Sequence, residues 1–590
     1  MRSIVVLSQV TKRTELSFYR IALLVSLLIY ILPGCDSKEP TKMQSRTEAK
    51  KSVNENVVSD NGIRLVDRTL DSEIDFVHQY DGKNGRYIVE AVGSGMAAFD
   101  FDVDGNIDLY FLNGSDFSTA KGVPSDSSTS PNSLYRNLGS MHFINGSSLS
   151  HCNAEEFGMG VCVGDFNSDG FPDLFVNNFG PNRLYQNQGD GTFIEMAESA
   201  GIACPDQMGA GATFFDADQD GFLDLYVGHY VRDPISKNVK RTTDGYPSYP
   251  GPLDFTAETD RFFLNSGDGT FRDATQERGL GDIATTSMSV VAADFDDDGD
   301  DDVLVVNDVE RNLFYINDGK GFFEESAIPR GIAFAGDGRR NGNMGLDVAD
   351  FDGNGTLDVF TSTFSNEYPV LYSNSGNAVF SDVTLAKRAG TGLFPHANWG
   401  VAFMDLDNDG DKDLFVCNGH TDPMVSSWAF TTAWKVQNTV FLNDNGKFFD
   451  ISKRALEQEK PPESGRGMIA EDLDNNGSID IAILNSNAPP TILKNETIGI
   501  GNWIRIKLIG RRSPRDAIGT CLRLVNGSKP QISQVITGRS YQSSFGQTIH
   551  FGVGESTGPI ELQIHWPNTA GDQKISIESV NQTIFVIEPL

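Results

Sequence analysis

Seven times along this chain of 590 residues one nine-residue pattern returns: Asp, any residue, Asp or Asn, any residue, Asp or Asn, Gly, two free positions, Asp. The copies are DFDVDGNID from Asp100, DFNSDGFPD from Asp165, DADQDGFLD from Asp216, DFDDDGDDD from Asp294, DFDGNGTLD from Asp350, DLDNDGDKD from Asp405 and DLDNNGSID from Asp472. Their starts lie 51 to 78 residues apart, so each copy heads a unit of supersecondary size, and self-similarity of this kind restricts the chain to a repeat architecture.

Within the pattern, oxygen-bearing side chains recur at fixed places. Position one holds Asp100, Asp165, Asp216, Asp294, Asp350, Asp405 and Asp472; position three holds Asp102, Asn167, Asp218, Asp296, Asp352, Asp407 and Asp474. Position five holds Asp104, Asp169, Asp220, Asp298, Asn354, Asp409 and Asn476; position nine holds Asp108, Asp173, Asp224, Asp302, Asp358, Asp413 and Asp480. Ca²⁺ takes six to eight oxygen ligands, and four side chains with a backbone carbonyl near position seven supply most of that shell. Glycine at position six lets the chain turn sharply around the ion. The expected cofactor is therefore Ca²⁺, at up to seven sites, with these 28 residues as ligands. The three loops with an Asn are expected to bind more weakly, because ligand charge helps set affinity. An EF-hand is excluded at its twelfth position, where a bidentate Glu is required and Phe111, Val176, Val227, Val305, Thr361, Val416 and Ile483 stand. Metal-free Asx turns are the alternative, but a turn needs one or two Asp, and four in one loop repel each other.

Charge supports the same reading. The whole chain carries −34, the first 60 residues and the last 89 carry +3 each, and this leaves −40 for residues 61–501. So acidic a surface excludes nucleic acid or an anionic membrane as the partner, since both demand a basic footprint.

Short apolar runs flank every loop, as Met96–Phe99 and Leu109–Leu112 flank the first, so each loop joins two strands of a hairpin. A third apolar run ending in Asn follows, as in Asn132–Asn137, Asn182–Asn187 and Asn438–Asn443. A glycine-rich turn such as Gly267–Phe271 then leads into a fourth strand. Four short strands seven times over predict an all-β chain: a seven-bladed β-propeller with Ca-binding inter-strand loops. The seventh unit lacks its fourth strand, and Ile63–Thr69 is expected to complete it and protect an open edge. Beyond the repeats, Asn502–Leu508 and Ile560–Trp566 alternate apolar and polar residues, predicting a small β-sandwich. The expected domains are a lipoprotein-type signal segment (1–35), a flexible tether (36–60), the propeller (61–497) and the sandwich (502–590).

The loops and their downstream pattern resemble the FG-GAP or VCBS repeat family. Tyr87-x-x-Glu90-x-x-Gly93-x-Gly95 narrows the likeness to the cartilage-acidic-protein-like group. Arg515-Asp-Ala-Ile-Gly519, Gly538-Arg-Ser-Tyr-Gln542 and His550-Phe-Gly-Val-Gly554 resemble motifs of the ASPIC/UnbV domain found at the C-terminus of bacterial members. Tyr249-Pro-Gly-Pro252 departs from the group, whose members often have Cys in the second place.

The N-terminus reads as an export sequence: Arg2, Lys12, Arg13 and Arg20 precede the apolar run Ile21–Leu32, too short to cross a bilayer as a helix. It ends in Leu32-Pro33-Gly34-Cys35, which resembles a lipoprotein box with Cys35 as the lipidated residue. The expected location is thus extracytoplasmic, with contact to membrane only through the lipid anchor. Five cysteines remain after Cys35, an odd number and too few for a disulfide scaffold. The favoured function is a binding or adhesion module for protein or polysaccharide, with Tyr246, Tyr249, Trp399, Trp428 and Trp434 as aromatic anchors in or near the inserts at 232–259 and 420–437. The alternative is a calcium-dependent lyase or hydrolase using His229, His396 or His420, although no nucleophile elbow, P-loop or dinucleotide fingerprint is present.

Overall fold

The computed structural model describes residues 62–80, 86–115, 131–456, 461–527 and 529–590. The signal segment, the tether and Cys35 lie outside the described residues.

Each aspartate loop closes a hairpin, and each hairpin continues into a four-stranded antiparallel sheet. In the second sheet, Phe157–Gly164 pairs with Asp173–Phe179, then Arg183–Asn187, then Phe193–Glu195. Six more sheets follow this plan, their first strands being Met96–Phe99, Gly209–Phe215, Ser287–Ala293, Asn343–Ala349, Asn398–Met404 and Gly465–Glu471. The first and second strands of every sheet are almost wholly buried, which is why they read as continuous Val, Ile, Ala and Phe. The seventh sheet takes its fourth strand from the other end of the repeat region: Leu65–Asp67 pairs antiparallel with Thr491–Asn495, Leu65 opposite Asn495. Here the expectation from Ile63–Thr69 is met.

One asparagine per sheet joins neighbours. Asn187 Nδ2 donates to the Pro172 carbonyl of its own sheet's loop (3.1 Å) and to the Phe101 carbonyl in the preceding loop (2.8 Å). Asn265, Asn317, Asn374, Asn443 and Asn495 reach back in the same way to Phe166, Ala217, Phe295, Phe351 and Leu406. Asn137 of the first sheet reaches Leu473 of the seventh at 2.8 Å. The links therefore run round all seven sheets, giving a propeller-like arrangement with every aspartate loop at the same mouth.

The C-terminal residues form two further sheets. Asn502–Ile509 lies between Thr548–Gly554 and Gln582–Ile587; Cys521–Asn526 lies between Lys529–Gln534 and Ile560–His565, with Gln573–Ile577 outside. Ile504, Ile506, Leu522, Leu562 and Trp566 fill the space between them. What composition does not foretell is the path of residues 535–546. They leave the sandwich and run along the axis of the ring, where Gly538–Arg539 and Ser543–Ser544 extend the first sheet to six strands. This strap contacts all seven sheets. Its Ser543 and Ser544 hydroxyls accept the Met96 and Val163 N–H, the Gln542 carbonyl accepts Val161, and Thr537 accepts Phe214. The Gln542 N–H donates to Ser289, Ser540 accepts from Leu346 and Val401, and the Gly546 N–H donates to Glu471. The innermost strand of each sheet has an unpaired edge facing the axis, and the strap supplies partners there.

Candidate metal centres and the cavity at the opposite mouth

In each loop the carboxylate at position one folds the chain back on itself. Asp165 Oδ1 accepts the Asp169 N–H (3.0 Å) and Oδ2 accepts the Gly170 N–H (2.7 Å). The glycines at position six have φ of +88° to +101°, a region where any side chain would strain the backbone. Position five accepts the N–H two residues on, as Asp220 does from Phe222 at 2.9 Å. Outside the loop at 294, whose Asp302 Oδ2 is buried without a partner, the carboxylate at position nine bridges its own loop and the third strand: Asp224 Oδ2 accepts the Ala217 N–H (3.0 Å) and Oδ1 the Asn265 N–H (2.8 Å).

These bonds leave particular oxygens over. Position-three Oδ1 of Asp102, Asp218, Asp296, Asp352 and Asp474 is buried without a hydrogen-bond partner. In the loops at 100, 216, 350 and 405, oxygens of positions one, three and nine converge within 4.8 Å; in the loop at 294, positions one, three and five do so. Burial, reinforced by neighbouring carboxylates, pushes Asp108 and Asp358 up to about 8 and Asp224, Asp302, Asp413 and Asp480 well above the carboxylate range. Buried acceptors that converge, lack donors and raise one another's proton affinity fit a hard divalent cation.

The loops differ in the charge beside them. Arg136 pairs with Asp102 (2.6 Å) and Asp104 (3.0 Å), Lys494 with Asp474 (2.5 Å) and Lys387 with Asp352 (3.4 Å). The sandwich adds Lys507 on Asp100 (3.1 Å) and Arg505 on Asp472 (3.0 Å). Its Asn568 donates to Asp216 and its Gln534 to Asp301, so the sandwich sits on the aspartate-loop mouth. The loop at 294 holds seven aspartates in nine residues, and among the described residues no Lys or Arg forms an ion pair with it; Arg330 acts on Asp296 only at longer range.

Residues 510–589 match the family model described as ASPIC and UnbV, and residues 100–176, 165–227, 254–305 and 294–361 match that of an FG-GAP-like repeat. The chain carries FG-GAP-like repeats and a C-terminal ASPIC/UnbV domain. Among curated proteins it is similar to Cartilage acidic protein 1 of Mus musculus, 32% identical over 239 residues covering 38% of this chain and 32% of the relative. The Homo sapiens protein of that name is 30% identical over 234 residues, covering 38% and 31%. The chain thus spans about a third of the length of these relatives. Similar solved structures include an Agrocybe aegerita protein described as recognising non-reducing terminal N-acetylglucosamine (16% identity, TM-score 0.34, 67% of this chain and 87% of that one). Another is YCF48 bound to D1 peptide (7% identity, TM-score 0.38, 74% and 98%).

At the mouth of the FG-GAP ring opposite the aspartate loops, where first strands begin and second strands end, lies a cavity of about 460 Å³. The short helix Ile88–Val92, both long inserts and the ends of four sheets line it. Of the expected aromatic anchors, Tyr249 and Trp428 border this space. Tyr246 packs on Trp428 from outside (ring centroids 6.3 Å), and Trp434 carries Lys435 over its face. Trp399 is the floor and is fully buried: Arg466 stacks on one side at 4.1 Å, and Tyr541 of the strap meets it edge-on at 4.9 Å. The Tyr541 hydroxyl donates to the Val92 carbonyl, so the ASPIC/UnbV strap reaches the far mouth. His420 lines the cavity, whereas His229 and His396 are not among its lining residues. All five cysteines of the described residues are free thiols, and Cys162 and Cys417 are buried within strands.

Proposed function

We propose that this chain is an exported, calcium-clamped binding or adhesion module, tethered through Cys35. The observation that carries the calcium part is the set of buried position-three oxygens without donors. FG-GAP-like repeats in a propeller-like ring support the binding part, since such a scaffold holds loops rigidly at one face. The test has two arms. Thermal unfolding in millimolar Ca²⁺ and in EDTA should differ by several degrees, because a ligand that binds only the folded state stabilises it by mass action. Cells bearing the full chain should adhere to a glycan- or protein-coated surface in Ca²⁺ and release in EDTA. Equal melting in both buffers with no bound ion defeats the calcium reading, and release of reducing ends from an offered polysaccharide favours the enzyme instead.

A further inference from the structure

The cavity at the far mouth carries chemistry that the metal loops do not explain. Asp308 is 6% exposed; its Oδ2 accepts the Tyr230 hydroxyl at 2.6 Å, and its Oδ1 lies on the wall beside Gly342. A methyl group on Gly342 would stand 2.8 Å from that Oδ1 and 3.6 Å from Glu367 Oε2, so glycine keeps open the space between two carboxylates. Across the cavity, His420 is 7% exposed, and its Nδ1 accepts the Asp422 N–H at 3.0 Å. Burial lowers its pKa to about 4, so the neutral ring keeps its proton on Nε2. An acceptor and a donor, both on side chains more than nine-tenths buried, thus line one space between aromatic rings.

We infer that this cavity binds the end of an uncharged saccharide, an inference that rests on reading the chain as a binding module. Its lining holds three carboxylates, Asp308, Glu367 and Asp422, and no Lys or Arg. Arg86, which stacks on Tyr249, pairs with Asp422 at 2.6 Å, whereas Asp308 and Glu367 have no ion-pair partner among the described residues, and this disfavours sulfated, sialylated or uronic ligands. Sugar hydroxyls both donate and accept, matching Asp308 Oδ1 and His420 Nε2–H together; a simple ammonium ion would leave the imidazole donor unused. Five serine and threonine side chains add further hydroxyl partners, and the half-buried Trp428 offers an apolar surface for a ring. The volume falls within the range of about 300–1,000 Å³ usual for small-ligand sites. Because Tyr541 supports the floor, the ASPIC/UnbV domain belongs to the site without touching the ligand.

The full chain, loaded with Ca²⁺, would be applied to an array of immobilised uncharged, anionic and free-amine glycans. Retention is expected on uncharged glycans, reduced about tenfold or more by Asp308→Asn and by Trp428→Ala, as for the loss of a buried hydrogen-bond acceptor or of an apolar contact. Both variants should melt close to the parent, since Asn can still accept from Tyr230 and Trp428 is only half-buried. Retention confined to anionic or amine glycans overturns the inference. So does uncharged-glycan retention that both variants keep, although the binding-module reading then stands. Retention on no class also overturns it, and the module reading is then decided by the calcium-dependent adhesion arm described above.

Discussion

A single aspartate oxygen without a donor is where the argument for metal is strongest, and the loops are not equivalent in this respect. The sequence expectation ranks the loops at 165, 350 and 472 as weak because each contains an Asn. The structure adds a second effect: tethered cations occupy carboxylates in the loops at 100, 350 and 472, whereas the loop at 294 has seven aspartates and no ion-paired Lys or Arg among the described residues. The loop at 294 should therefore fill first in a calcium titration. Asp296→Asn should remove the tightest phase, while Arg136→Ala should tighten a weak one; calorimetric titration reads both. A second residue-scale prediction concerns Asp260, fully buried, which accepts from Tyr226, Ser287 and the His229 N–H and is pushed up to about 7 by burial. A raised folded-state value means the native chain holds more protons than the unfolded chain between pH 4 and 7, so this group's contribution to stability is lost as pH rises through that window. Urea unfolding in saturating Ca²⁺ should show a smaller fall from pH 5 to pH 8 in Asp260→Asn than in the parent.

At the scale of elements, the third strand and the strap do work that their composition hides. Every third strand ends in Asn, a regularity visible in the chain, but the reason is a bond to the neighbouring loop, and the partner lies 79 to 100 residues away where the repeat is unbroken. Asn265→Ala would leave the buried Phe166 and Leu223 carbonyls without their donor at a cost of about 1–3 kcal/mol, measurable by denaturant unfolding. The strap is held by Arg539, which grips both oxygens of the fully buried Asp347 at 2.8 and 2.9 Å. Arg539→Ala would strand that charge and should cost about 3–5 kcal/mol, with Asp347→Asn added to it restoring part of the loss. The hairpins and their loops were legible because period-two alternation and Gly-containing turns are local properties. The strap was not, since Gly538–Gln542 is polar, short and without periodicity, and its burial depends on seven sheets distant in sequence.

For the molecule as a whole, the ring and the ASPIC/UnbV domain form one structure. A chain ending at residue 501 should be less soluble and melt lower than the full chain in the same Ca²⁺ buffer, because the axial N–H groups of Met96, Val161, Leu346 and Val401 lose their partners. Far-ultraviolet dichroism with thermal melting checks this. The sequence alone determined the all-β class, the aspartate loops, the closing strand from the N-terminal side and the presence of a C-terminal sandwich, all consequences of short-range pattern and count. Tertiary structure alone decided which oxygens lack donors, which loops carry their own cations, that Trp399 is a floor while Trp428 borders a cavity, and that the C-terminal strap runs from one mouth to the other. Those features depend on groups brought together across hundreds of residues, and burial, which sets their charge and their partners, is a property of the packed ring and not of any segment within it.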